Sequence, residues 1–164
     1  MKTPKNLTDA FLGESMTSRK YLAFGLAALG DELPQVAKLF RAVAAAEDVH
    51  ALAHLRAMGG VKTTAENLAV AIAGEKYAIE ERYPGFLAIA LAEGHHPAAV
   101  SMGNAMAAEN VHHSLFTEAL GAVESGRDLP SARIHVCNVC GNTVIGDVPG
   151  LCLVCKAEKF TEIA

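Results

Sequence analysis

The chain has 164 residues, 51% apolar and only 5% aromatic, with no Trp. That is enough apolar material for one compact domain, or one domain and a small appendage, and the excess of Ala and Leu favours helices. A net charge of −4 argues against nucleic acid or an anionic membrane as partner. The longest apolar run, Tyr21 to Gly30, is too short to span a bilayer. The first nine residues lack the apolar core of a signal peptide, so a cytoplasmic location is expected.

Thr8 or Asp9 is a capping residue for a first helix that runs to about Gly30. Its three-four stripe reads Leu7, Phe11, Glu14, Ser18, Tyr21, Gly25, Leu29, interrupted by a single charge at Glu14. Asp31 to Pro34 make a turn. A second helix then runs to about Met58, where Gly59-Gly60 stops it. Its inner stripe reads Val36, Phe40, Val43, Glu47, His50, His54, Ala57. Thr64 is a capping candidate for the third helix, which carries Leu68, Ile72, Glu75, Ile79, Arg82, Phe86 and Ile89 on one face. Pro84-Gly85 must kink this helix without ending it. A fourth helix, from about Ala98 to Val123, presents Met102, Ala105, Glu109, His112, Phe116, Leu120 and Val123.

The two halves repeat. Glu14 maps to Glu75 at an offset of 61, and Glu47 and His50 map to Glu109 and His112 at 62. Residues three apart on a helix share a face, so each Glu-x-x-His directs a carboxylate and an imidazole the same way. Four carboxylates and two imidazoles in one bundle core are costly to bury unless metal ions compensate them. A pair of metal ions is the economical explanation. A third Glu-x-x-His, Glu93 to His96, falls at a helix break before Pro97 and has no partner Glu, so it reads as chance.

Residues 121 to 133 have a linker composition, and beyond them the helical period disappears. Ile134-His135-Val136 and Thr143-Val144-Ile145 read as short strands between Gly and Pro turns. All four cysteines lie in the last 28 residues, as Cys137-x-x-Cys140 and Cys152-x-x-Cys155 with 11 residues between the pairs. Two such knuckles supply a tetrahedron of thiolates for zinc or a single iron. The metal also staples a module too small to hold itself together.

Taken together, Glu14, Glu47-x-x-His50, Glu75, Glu109-x-x-His112 and the paired cysteine knuckles resemble rubrerythrin over nearly the whole length. Thr64 to Leu68, Gly74-Glu75, Tyr83 to Phe86, and Phe160 add to the likeness. The resemblance implies a mainly α protein: a ferritin-like four-helix bundle over residues 1–130 and a rubredoxin-like β module over 131–164. It implies two non-haem irons, one held by Glu14, Glu47 and His50 and one by Glu75, Glu109 and His112, with Glu47 and Glu109 bridging. It places Tyr21 and Tyr83 beside those ligands and a further iron, or zinc, at Cys137, Cys140, Cys152 and Cys155.

The activity implied is reduction of hydrogen peroxide to water, a protection against oxidative stress. Electrons would come from NAD(P)H through an external donor, a rubredoxin or a flavoprotein reductase. The alternatives are a ferritin-like ferroxidase that handles iron, and a non-enzymatic zinc-ribbon scaffold. One position departs from the family, which carries a further Glu three residues after the third-helix ligand. Here that residue is Ala78, so the two half-sites should be more alike than in the family. The cysteine module follows a helix about 40 Å long, which leads to the expectation of a homodimer, with helix exchange a possibility, in which one chain's module approaches the other chain's irons.

Overall fold

A computed structural model describes residues 2–163. The chain forms two compact units, one ending at Lys62 and the other beginning at Thr63. Four helical rods and a small C-terminal sheet bearing the four cysteines make up the fold, the class anticipated from the sequence.

The first unit is an antiparallel hairpin of α1 (Thr3–Gly30) and α2 (Pro34–Ala57). α1 starts five residues before the anticipated cap at Thr8. Pro4 lies in its first turn, where a fixed φ suits helix initiation, and the Thr8 hydroxyl donates back to the Pro4 carbonyl. The seam between the helices is built from small residues. Ser18, Gly25 and Ala28 on α1 and Ala37, Ala44 and Ala51 on α2 are all buried. The α2 alanines recur every seven residues, the spacing that keeps one face on a partner helix. At Gly25, a Cβ would meet the Ala37 carbonyl at 3.4 Å and the Phe40 Cβ at 3.5 Å, so the backbones approach closely.

On α1 the seam includes Ser18 and Gly25 of the anticipated stripe, but on α2 it runs along the alanines instead of the anticipated larger residues. Leu29 and Val36 are 49% and 42% exposed. Phe40, Val43 and Glu47 are half-buried beside the alanine line, and His50 is exposed. Polar groups also register the hairpin. Arg19 Nη2 donates to Asp48 Oδ1 at 3.1 Å and to Ser18 Oγ at 3.2 Å. The Ser18 hydroxyl, with Arg19, holds the Asp48 carboxyl below its usual range.

The second unit begins with a capping box one residue earlier than anticipated. The Thr63 Oγ accepts from the Glu66 N–H, and the Thr63 N–H donates to the Glu66 carboxylate. α3 (Thr64–Tyr77) passes into a π-helical turn, Ala78–Arg82, and then into α4 (Tyr83–Ala92). All the junction residues keep right-handed helical backbone, so this is one continuous rod. The irregularity thus precedes Pro84: a π-turn carries one extra residue and relieves the hydrogen bond that proline cannot make. The inward phase moves by one as a result. Arg82, Phe86 and Ile89, anticipated on the inner face, are exposed, while Tyr83 and Leu87 are half-buried and Ala90 is buried.

α5 (His96–Glu124) is capped by His95, whose Nδ1 accepts from the Ala98 N–H. The chain turns at Gly126, at φ +71, and enters the sheet. The sheet order is β2–β1–β3, with β1 (Ile134–Cys137) central and antiparallel to β2 (Thr143–Ile145) and β3 (Phe160–Ile163). Leu129 and Ile134 meet Leu115, Phe116 and Ala119 around one cavity, so the linker folds back along α5.

The alanine seam makes a specific demand on residue size. Ala44→Leu is expected to cost about 1–3 kcal/mol through overpacking, read as a lower denaturation midpoint in urea, whereas a Leu at exposed Lys38 leaves the midpoint within experimental error.

Candidate metal centres

In the first unit, Glu14 of α1 and Glu47 and His50 of α2 offer donor atoms that all lie within 4.8 Å of one another. His50 Nδ1 is 3.0 Å from Glu47 Oε2. In the second, Glu75 of α3 and Glu109 and His112 of α5 form a matching set. There His112 Nδ1 is 2.8 Å from Glu109 Oε2. The sequence repeat has thus become two three-donor clusters, each built on one antiparallel helix pair. Glu93 and His96 belong to neither: Glu93 ends α4 and His96 opens α5.

Ala78 is 3% exposed, at the start of the π-turn and on the Glu75 face. Glu80 and Glu81 lie on the exposed side, with Glu80 3.9 Å from Lys76. Among the described residues, no carboxylate takes the place that Ala78 leaves, so each cluster keeps three donors. Tyr21 packs its ring against Phe40 and Phe24, with centroids 5.9 and 6.2 Å away. Tyr83 is half-buried immediately after the π-turn.

The second cluster is strained as a set of charges. Burial raises the Glu75 carboxyl above its ordinary value, and the hydrogen bond and negative charge of Glu109 raise it further. A cation between the carboxylates reverses both effects by favouring their charged forms. His112 shows which atom would face it. Its Nε2 lies 3.2 Å from the Gly141 carbonyl and 3.1 Å from Thr143 Oγ1. A carbonyl only accepts, so Nε2 carries the proton and Nδ1 is left toward the carboxylates, as a metal-binding imidazole requires. The residues present therefore fit a divalent metal.

These contacts also correct a distance argument. Gly141 and Thr143 belong to the cysteine module, and they reach His112 of the same chain. The folded-back linker brings the module about twelve residues up α5 from its end, so the full 40 Å length of the helix does not separate them.

The four thiols form the third cluster. Cys137 and Cys155 sulfurs are 3.5 Å apart, and those of Cys140 and Cys152 are 3.6 Å apart. A tetrahedral metal–thiolate site has edges of about 3.8 Å. Burial pushes the Cys140 thiol up to about 12. Burial also opposes ionisation at Cys152, but the backbone N–H groups of Cys155 and Val154 outweigh it and bring that thiol down to about 7. Burial thus opposes ionisation at both Cys140 and Cys152, and a cation held by the four sulfurs would favour their thiolate forms. Each knuckle turns through the residue after its second cysteine: Gly141 at φ +79 and Lys156 at φ +63.

Paired carboxylate–histidine clusters on long helices, with a four-cysteine knuckle domain, define a helical metal-binding protein. A family model described as Rubrerythrin matches residues 5–120. The chain is 30% identical to rubrerythrin-2 of Clostridium acetobutylicum, covering 94% of this chain and 92% of that one. It is 32% identical to nigerythrin of Nitratidesulfovibrio vulgaris, covering 97% and 84%. Among solved structures, the fully reduced, all-ferrous state of nigerythrin aligns with TM-score 0.58 at 28% identity, over 98% of this chain and 86% of that one. The chain belongs to the rubrerythrin family, and it carries the carboxylate–histidine clusters of a di-iron site candidate together with a rubredoxin-like four-cysteine site. Among the described residues, no helix is long and apolar enough to cross a membrane.

Two consequences are measurable. In the metal-free protein, ionising Glu75 destabilises the fold progressively as pH rises through its ordinary value of 4.5 toward the raised folded-state value. Metal-free Glu75→Gln is therefore expected to be more stable than the parent at neutral pH and equal to it at pH 3, by chemical denaturation. Lys156→Gly relieves a left-handed conformation that costs a non-glycine residue about 1–2 kcal/mol, and is expected to raise the unfolding midpoint of the metal-filled protein.

Proposed function

We propose that this chain is a non-haem di-iron peroxidase that reduces hydrogen peroxide. One peroxide takes up two electrons and two protons and leaves as two waters. In this reading Glu14, Glu47 and His50 would hold one iron and Glu75, Glu109 and His112 the other. A ferrous pair, when bound, supplies two electrons together and Lewis acidity toward the peroxide oxygens.

The observation that carries the reading is the hydrogen-bonded link between His112 of one cluster and Gly141 of the cysteine knuckle. Storage of iron needs no built-in electron carrier, whereas repeated peroxide reduction does. Cys137, Cys140, Cys152 and Cys155 serve as that carrier by holding a single iron, whose potential is set by burial and hydrogen bonds to sulfur. On this reading Tyr21 would be an acid for O–O cleavage, and the phenols of Tyr21 and Tyr83 would hydrogen-bond ligand carboxylates.

On this reading residues 1–130 are the ferritin-like di-iron domain and residues 131–164 the electron-transfer domain. The electrons come from NAD(P)H through a rubredoxin or a flavoprotein reductase, in the cytoplasm, as protection against oxidative stress. The working form is a homodimer, in which a second copy covers large apolar side chains such as Leu12, Met16, Leu26 and Leu39 that the first unit leaves exposed; exchange of helices between copies is one way to build it.

The test is anaerobic. Iron-loaded, reduced protein is mixed with measured hydrogen peroxide and supplied with a rubredoxin donor. Expected are one peroxide consumed per two electrons and the visible absorption of a ferric tetrathiolate. Glu109→Ala should slow consumption by at least the roughly 10–100-fold typical of disturbing a metal ligand's support. Peroxide decay unchanged by Glu109→Ala, or a colourless, zinc-filled cysteine site in active protein, would refute the assignment.

A further inference from the structure

Resting on that di-metal reading, we propose that Thr143 is a positioning residue. Its hydroxyl, fixed beside Gly141 of the cysteine knuckle, holds the His112 ring with Nδ1 toward Glu75 and Glu109. The grip of this cluster on a divalent metal therefore depends on a folded, metal-filled cysteine module.

The geometry is specific. Thr143 Oγ1 lies 3.1 Å from His112 Nε2 and 3.4 Å from the Gly141 carbonyl. Its single proton goes to the carbonyl, which leaves the oxygen free to accept from Nε2–H. The other surroundings of the ring on this side are apolar: the cavity of about 250 Å³ against which His112 and Thr143 sit is lined by Leu68, Leu115, Phe116 and Ile145. Once Thr143 and Gly141 are removed, that lining offers Nε2–H no other polar partner. An unpaired N–H facing such a wall is costly, so the ring turns away and takes Nδ1 with it.

The position of Thr143 is set by the knuckle. Thr143 pairs with Val136 across the β1–β2 ladder, next to Cys137, and the Cys137 N–H donates to the Asn142 carbonyl. The Gly141 N–H donates in turn to the Cys137 carbonyl. This is the loop that the metal at the four sulfurs closes, and so small a module depends on its metal to stay folded. Binding at the two sites is then reciprocal, because a coupling free energy acts equally in both directions. The first cluster has no such buttress on its own hairpin: the His50 side chain is 56% exposed. The effect is thus expected at one of the two bundle metals.

The test reads affinity and does not require turnover. In the full chain, the four thiolates are filled with Zn2+, and Co2+ is titrated into the helical clusters by calorimetry and visible absorption. Thr143→Val, which keeps the shape and β-branching and leaves the Gly141 carbonyl as the acceptor for Nε2–H, is expected to weaken one Co2+ step about 10-fold, the lower end of the range for losing a ligand's hydrogen-bond partner. Thr143→Ser restores it to within threefold. The parent with its thiolates left empty shows the same weakened step. Equal Co2+ affinity in the parent and Thr143→Val overturns the positioning role, and equal affinity with the thiolates filled or empty overturns the dependence on the module. If the parent binds no Co2+ outside the thiolates, the di-metal reading itself fails, and this inference with it.

Discussion

Carboxylates and imidazoles gathered within 4.8 Å of one another make an arrangement that a folded chain does not keep without compensation. A like charge at that range raises a carboxyl's pKa, as Glu109 does to half-buried Glu75 here. The same constraint governs the cysteine module, where burial drives Cys140 up while backbone N–H groups draw Cys152 down. Both sites are electrostatically unfinished in the same sense, since each concentrates more negative charge than its own hydrogen bonds can hold. A cation completes each, and the fold can be understood as a device for keeping these groups together until one arrives.

Keeping them together requires close helices rather than large cores. In the first unit the two backbones approach over Ser18, Gly25 and Ala28 on one side and Ala37, Ala44 and Ala51 on the other. Small side chains at the seam bring Glu14 within reach of Glu47 and His50, which longer ones would prevent. In the second unit the π-turn has a related effect. It adds one residue between Glu75 and Pro84, so that α4 turns Tyr83, Leu87 and Ala90 inward while the phase at Glu75 stays as α3 set it. Function and packing are thus adjusted independently along one rod.

The two clusters have matching donors but different surroundings. His50 belongs to a hairpin alone, whereas His112 is held from behind by Gly141 and Thr143. The removal of a carboxylate at Ala78 makes the donor sets alike. The cysteine module distinguishes the second cluster again, because Gly141 and Thr143 meet His112 within the same unit. In the proposed peroxidase, such an asymmetry would define the entry point for electrons.

The donor residues were legible in the sequence because helical periodicity and the repeat offsets of 61 and 62 place chemically rare residues on one face. The cysteine module was legible because its spacing encodes a local knuckle. The alanine seam was not, since Ala is weakly apolar and the larger Leu29 and Val36 masked the heptad of Ala37, Ala44 and Ala51. Nor was the phase slip: Pro84 announced an irregularity, but whether the chain kinks at the proline or absorbs it in a preceding π-turn depends on how the rod packs. The link from His112 to Thr143 joins residues 31 apart through a linker with no pattern of its own. Local sequence thus determined which groups carry chemistry, because their spacing fixes their direction. Only the tertiary structure decided which residues of the knuckle meet His112, because that depends on where a segment without regular structure folds back along α5.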